Sequence, residues 1–224
     1  RWNEKYTPEE LRELLKTETT NRISITSVNK YLRTFKEFLL YCKKRRFIPE
    51  SFSDDIEVPK RRDPIKIDAF NREELQNIFN PSFYPPKNSI YYAWRYWIPL
   101  IGIYTGMRLN EICQLYVDDV KYLNRIWYFR LTNERSDQSL KNKQSKRLVP
   151  IHPKLIELGF IDFVKSIREA KKDRLFYQFE YSPKNHYTHA MSMWFARYLK
   201  GLGIEGRNKV FHSFRHTVKP YLRD

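Results

Sequence analysis

The chain has 224 residues, 41% hydrophobic and 16% aromatic, and its 42 Lys and Arg outweigh 26 Asp and Glu for a formal net charge of +16. That apolar content excludes a wholly disordered chain, and the length suits one or two domains. The basic surplus points to a polyanion, nucleic acid first and an anionic membrane surface second, whereas two cysteines and six glycines leave no disulfide framework, four-ligand zinc site, dinucleotide fingerprint or P-loop.

The most apolar stretch, Trp97 to Tyr104, falls far short of the roughly 20 residues that a transmembrane helix needs. No apolar run follows Arg1 to Lys5 as a secretory signal would require. The expectation is therefore a cytoplasmic, reducing setting without a membrane. The missing initial Met reads as a fragment or a trimmed chain.

In chain order, Pro8 to about Lys16 is a short helix with Pro8 in its first turn. A longer helix follows Ser24 or Thr26, either of which can cap it. Val28, Tyr31, Leu32, Phe35, Phe38, Leu39 and Cys42 recur there at helical spacing. It closes on Lys43, Lys44, Arg45 and Arg46, cations suited to the negative end of the helix dipole. Residues 49–66 hold three prolines and the basic run Lys60, Arg61 and Arg62, and no apolar period crosses them. This stretch reads as an interdomain linker.

Asn71 with Glu74 three residues on is a capping-box start for a helix to about Phe79. After a Pro-rich loop, an apolar helix covers about 89–104 and stops at Gly106. Trp94, Trp97, Tyr91 and Tyr104 follow its rhythm and read as core. A short helix, 109–115, comes next. Two strands follow, 126–132 and 147–151, with a polar loop between them. Helices are then expected over about 154–172, 188–202 and from 212 to the end. The fold class is mainly α with a small antiparallel sheet. Residues 1–63 hold 15 basic and 11 acidic residues, and residues 64–224 hold 27 and 15. Both halves are basic, as two modules on one polyanion would be.

Three clusters carry chemistry. In Thr105-Gly106-Met107-Arg108-Leu109-Asn110-Glu111, Gly106 makes a tight turn and Arg108 opens a helix, where free backbone N–H groups already favour anions. Glu111, one turn on, can hold the guanidinium. The run Lys141-Asn142-Lys143-Gln144-Ser145-Lys146-Arg147 is a basic turn that can present a lysine to a phosphate. His212 and Arg215 are three apart and share a helix face, offering an imidazole and a planar fork to two oxygens of one phosphate. Taken singly, these clusters also read as a surface Arg–Glu pair, a solvated loop and a packed His–Arg pair. His186 and His189 are three apart with no cysteine nearby and acids only at Glu180 and beyond, and no metal site is assigned to them.

In this order the motifs TGMRLNEICQL (105–115), KNKQSKRLVPIHP (141–153) and FHSFRHT (211–217) resemble the tyrosine recombinases, or phage integrases. Leu175, Phe176 and the aromatic helix around Trp194 and Phe195 look similar to the family's approach to its His-x-x-Arg motif. The resemblance covers about 65–224. It implies a helical, SAM-like core-binding domain over 1–60, incomplete in that it is short for the family, and an α+β catalytic domain over 61–224 that lacks its C-terminal Tyr segment.

The implied activity is site-specific DNA recombination for a phage or an integrated mobile element. One strand is cut by a tyrosine through a 3′-phosphotyrosyl link and then rejoined, with no cofactor and no metal. Arg108 and Arg215 match the family's phosphate-clamping arginines. Lys141 matches the lysine that protonates the leaving 5′-oxygen, with Lys143 as the other choice of register. His212 matches the histidine that assists binding and proton transfer, and Glu111 the acid that supports the first arginine. Lys43, Lys44, Arg45, Arg46, Lys60, Arg61, Arg62 and Lys143 are expected to touch DNA phosphates. The implied partner is double-stranded DNA with specific attachment sites, bound as a tetramer by the full-length protein, while this chain alone is expected to be a monomer.

The sequence departs from the family in one respect. The family's second His or Trp and its nucleophilic Tyr lie a few tens of residues past the His-x-x-Arg motif, and this chain ends 12 residues after His212. Tyr221 comes too early and reads as a packing residue of the last helix. The expectation is a chain that binds DNA without cleaving it. Two other functions stay open: a non-catalytic DNA-binding protein on the same fold, and a type IB topoisomerase.

Overall fold

The computed structural model describes residues 7, 9, 23, 25–57, 67–87, 91–142, 145–206 and 208–222. Its backbone falls into two units, Arg1–Pro64 and Ile65–Asp224. The expected helix at 8–16, the basic run 60–62 and Lys143 lie outside the described residues.

In the first unit the helical period gives α1, Ile25–Lys44. It stops because Arg46 turns left-handed at φ 59, which lets Phe47 N–H return to the Cys42 carbonyl at 2.9 Å. The cations from Lys43 to Arg46 are all exposed. The apolar spacing overstates what this helix buries. Cys42 is buried, Val28, Leu32 and Leu39 are half-buried, and Tyr31, Phe35 and Phe38 are exposed.

The second unit begins with α2, Arg72–Ile78. Its capping box forms as expected: Asn71 Oδ1 accepts from Glu74 N–H, and Glu74 Oε2 accepts from Asn71 N–H, each at 2.8 Å. The apolar helix is α3, Ala93–Thr105. It starts later than expected, and Tyr91, in the turn before it, is exposed rather than core, while Trp94 and Trp97 are buried. Gly106 ends α3 in a left-handed turn at φ 62, where only glycine is unstrained. Helix α4, Leu109–Cys113, follows two residues later.

The sheet has three strands rather than two. They are β1 (Val120–Leu123), β2 (Ile126–Leu131) and β3 (Arg147–Pro150), antiparallel in the order β1-β2-β3. Asn124 and Arg125 join β1 to β2 with φ of 50 and 64. This is a two-residue hairpin turn without its favoured glycine, so the sequence hides it.

The expected helix at 154–172 is two: α5 (Pro153–Glu157) and α6 (Phe160–Glu169), broken where Gly159 takes φ 87. Helix α7 is His189–Gly201. The last helix, α8, is only Ser213–Val218 and tightens into a 3-10 turn at Lys219–Leu222. That turn contains Pro220, which lacks an N–H, and at three residues per turn it leaves the register of the helix before it. Tyr221 is 82% exposed, so it is not the packing residue expected from the sequence.

Helix α3 is the axis of the core. Trp97, Ile98 and Ile101 are fully buried. Phe211 and Phe214 pack on one another and on Phe195 of α7, which holds α8 against α3. The packing places the end of α3, the start of α4 and the start of α8 together. A Cβ at Gly102 would lie 2.7 Å from Phe211 Cζ. Gly102→Ala gains about 1 kcal/mol of helix propensity, but overpacking against a buried ring costs more. We expect a net loss of about 1–2 kcal/mol in urea unfolding.

Candidate functional site

The site begins at the turn after α3. Thr105 Oγ1 donates to the Ile101 carbonyl at 2.5 Å and accepts Met107 N–H at 3.2 Å, which shapes the turn from within. Arg108 is the N-cap residue of α4, in extended conformation at φ −72, ψ 148. Its N–H donates to Glu111 Oε2 at 3.0 Å, and its Nη1 donates to Glu111 Oε1 at 2.7 Å. One carboxylate thus fixes both the backbone and the guanidinium of Arg108.

Glu111 is only 3% exposed and has a second guanidinium. Arg147, at the start of β3, donates Nη2 to Oε2 at 2.9 Å and Nη1 to Oε1 at 3.3 Å. Burial alone would raise the Glu111 pKa. Hydrogen bonds from Arg147 and Arg108 outweigh it and hold the carboxyl below its ordinary value. Arg147 lies in the basic motif 141–147, and nothing in the sequence gives it a part. No local spacing pairs residues 36 apart, and the signal that remains is a lone Glu between two arginine-bearing motifs.

His212 is the N-cap residue of α8, and Arg215 lies in its first turn. Arg215 Nη1 donates to the Gly106 carbonyl at 2.6 Å, two residues before Arg108. Partial burial, then the proximity of Arg108 and Arg147, lower the Arg215 pKa, with Glu111 opposing. Its guanidinium stays charged at neutral pH. Partial desolvation lowers the His212 pKa, and His216, Arg215, Arg108 and Lys141 push it the same way. Arg215, Arg108 and Lys141 thus lie within electrostatic reach of His212, and Arg108, Glu111 and Arg147 within reach of Arg215. The cations Lys43 to Arg46 belong to the other unit.

The loop carrying Lys141 is tied to α4. Ser139 N–H donates to Gln114 Oε1 at 2.9 Å, and Asn110 Nδ2 donates to Ser139 Oγ at 3.2 Å. Gln114 is buried. Nearby, the Asp137 carboxylate accepts hydrogen bonds from Tyr116 and Tyr187, at 2.6 and 2.5 Å. Burial and that carboxylate push the Tyr187 phenol up to about 12, so it is a structural donor at neutral pH. His189 opens α7, and His186 turns left-handed at φ 49. Among the described residues no group of three His, Cys, Asp or Glu is placed to hold a metal ion, and no helix is long and apolar enough to cross a membrane.

The lowered His212 pKa has a sign for stability. Between its folded value and the ordinary value of about 6.5, the unfolded chain binds the proton more readily. Stability therefore rises with pH through that window and falls on acidification through it. In urea unfolding at pH 7.5 and 5.5, the native chain should lose more stability on acidification than His212→Gln, which has no imidazole to charge.

The integrase from mycobacterium phage Brujita aligns with 15% identity over 98% of this chain and 65% of that one, at a TM-score of 0.42. This chain thus spans about two thirds of that integrase's length, and at this similarity the alignment carries no argument of its own. No curated protein matches the sequence. The profile described as the phage integrase family matches residues 70–222, the stretch that holds α2 to α8 and every residue of the site. The chain belongs to the phage integrase family, the tyrosine recombinases.

Proposed function

We propose that this chain is the DNA-binding and phosphate-activating part of a site-specific recombinase, the integrase of a phage or an integrated mobile element. The observation that carries the reading is a charge imbalance. Arg215, Arg108 and Lys141 bear on His212, and Arg108 and Arg147 bear on Arg215, where Glu111 is the carboxylate that opposes them. Such a cluster is stabilised by an anion between its members. Two guanidinium forks beside a helix start suit the non-bridging oxygens of a phosphodiester.

In this reading Arg108 and Arg215 grip those oxygens and stabilise the added charge of a pentacoordinate phosphorus. A tyrosine hydroxyl attacks phosphorus and its proton passes to His212, whose neutral form, able to accept it, is favoured by partial burial and then by the surrounding cations. The bond to the 5′-oxygen breaks, and the Lys141 ammonium gives that oxygen a proton. A 3′-phosphotyrosyl link and a free 5′-hydroxyl result, and attack by another 5′-hydroxyl reverses the step on a new strand. No tyrosine among the described residues is assigned as the attacking group. Lys43 to Arg46 add phosphate contacts that position the duplex without reading its sequence.

The test is duplex binding against salt concentration. The chain should bind mixed-sequence duplex with a steep inverse dependence on salt, because each neutralised phosphate releases counterions. Arg108→Ala and Arg215→Ala should each weaken binding and flatten the log–log slope by about 0.9. Slopes unchanged in both variants would mean that neither arginine meets a phosphate.

A further inference from the structure

Residues 132–146 join β2 to β3 and carry Lys141. A loop of that length is normally mobile. Helix α4 holds this one on both sides of the lysine. Two residues before Lys141, Ser139 gives its N–H to Gln114 Oε1 at 2.9 Å, and its hydroxyl accepts Asn110 Nδ2 at 3.2 Å. Asn110 Nδ2 also donates to Gln114 Oε1 at 3.1 Å, so the two amides and the serine close into one set. Beyond Lys141, Arg147 is held by both Glu111 oxygens and reaches back with Nη1 to the Ser145 carbonyl at 3.1 Å. Ser145 Oγ in turn donates to Asn142 Oδ1 at 2.7 Å, one residue from Lys141.

Asn110, Glu111 and Gln114 thus lie within one turn and a half of the helix that Arg108 opens. The residues that tie the loop and the arginine at the site therefore share one short helix. We infer that Asn110, Gln114 and Arg147 are positioning residues for Lys141, through which α4 clamps the loop at two points and presents the amine to the phosphate that Arg108 meets. The inference rests on the proposed reading of Lys141 as a phosphate-facing group. Arg147 acts here through Glu111 and the Ser145 carbonyl and needs no contact with DNA.

The experiment is a double-mutant cycle on the full chain, read by its affinity for a fluorescent mixed-sequence duplex at fixed salt. Amide hydrogen exchange of the free protein is measured alongside. Gln114 is buried, so Asn110→Ala and Arg147→Lys are the working variants. Both sites are half-exposed, the second substitution keeps the charge, and circular dichroism checks their folding. Lys141→Ala should weaken binding roughly fivefold. Asn110→Ala and Arg147→Lys should each cost a similar factor in the native background and less than about twofold in the Lys141→Ala background. Exchange at Ser139 to Asn142 should accelerate in both variants.

If the variants lose as much affinity without Lys141 as with it, or lose none while Lys141→Ala does, the positioning role is wrong and the reading of Lys141 stands. If Lys141→Ala binds as tightly as the native chain, the reading of Lys141 is wrong and the inference falls with it. Unchanged exchange in the loop would show that α4 does not clamp it.

Discussion

A single buried carboxylate organises this structure. Glu111 closes the start of α4 through the Arg108 N–H, fixes the Arg108 guanidinium, and binds Arg147 from the first residue of β3. The two guanidinium groups lie about a third exposed, while the carboxylate between them is almost wholly enclosed. A buried charge is tolerated only when paired and hydrogen-bonded. Here the pairing joins a helix start to a sheet edge, and removing one partner would leave the carboxylate over-matched by burial. The arrangement neutralises one of the two arginines and leaves the site with an excess of positive charge.

The core serves that arrangement. Helix α3, most of it buried, ends at Gly106, whose left-handed turn sends the chain into α4. The Phe195, Phe211 and Phe214 rings seat α8 so that Arg215 reaches the Gly106 carbonyl. Residues more than a hundred apart in the chain thus meet at one turn. Partial burial first, and then the like charges beside them, lower the proton affinities of His212 and Arg215. Such perturbed groups collect at functional sites because function needs the charge where folding does not.

Much of this was legible in the sequence. The capping box at Asn71, the stop at Gly106 and the short helix carrying Arg108 and Glu111 depend on neighbours within a few residues, which a sequence displays. The three motifs that point to the family do the same. What was not legible depends on partners far along the chain or on backbone states that no residue type announces. β1 was missed because Asn124 and Arg125 make a hairpin turn without glycine. The break at Gly159 was read through, since an isolated glycine inside a helical pattern is ordinarily tolerated. Arg147 and Gln114 both lie inside motifs that the sequence displays. Their roles come from contacts with Glu111 and Ser139, which sheet and loop geometry alone create.

The central claim is that Arg108, Lys141, His212 and Arg215 converge on one phosphate. The most direct measurement is a crystal structure of the chain with orthovanadate, a mimic of pentacoordinate phosphorus. The account predicts one vanadate held by both guanidinium groups, with His212 and the Lys141 amine within hydrogen-bonding reach. A vanadate bound by one arginine alone, or bound only at the surface cations of α1, would contradict it.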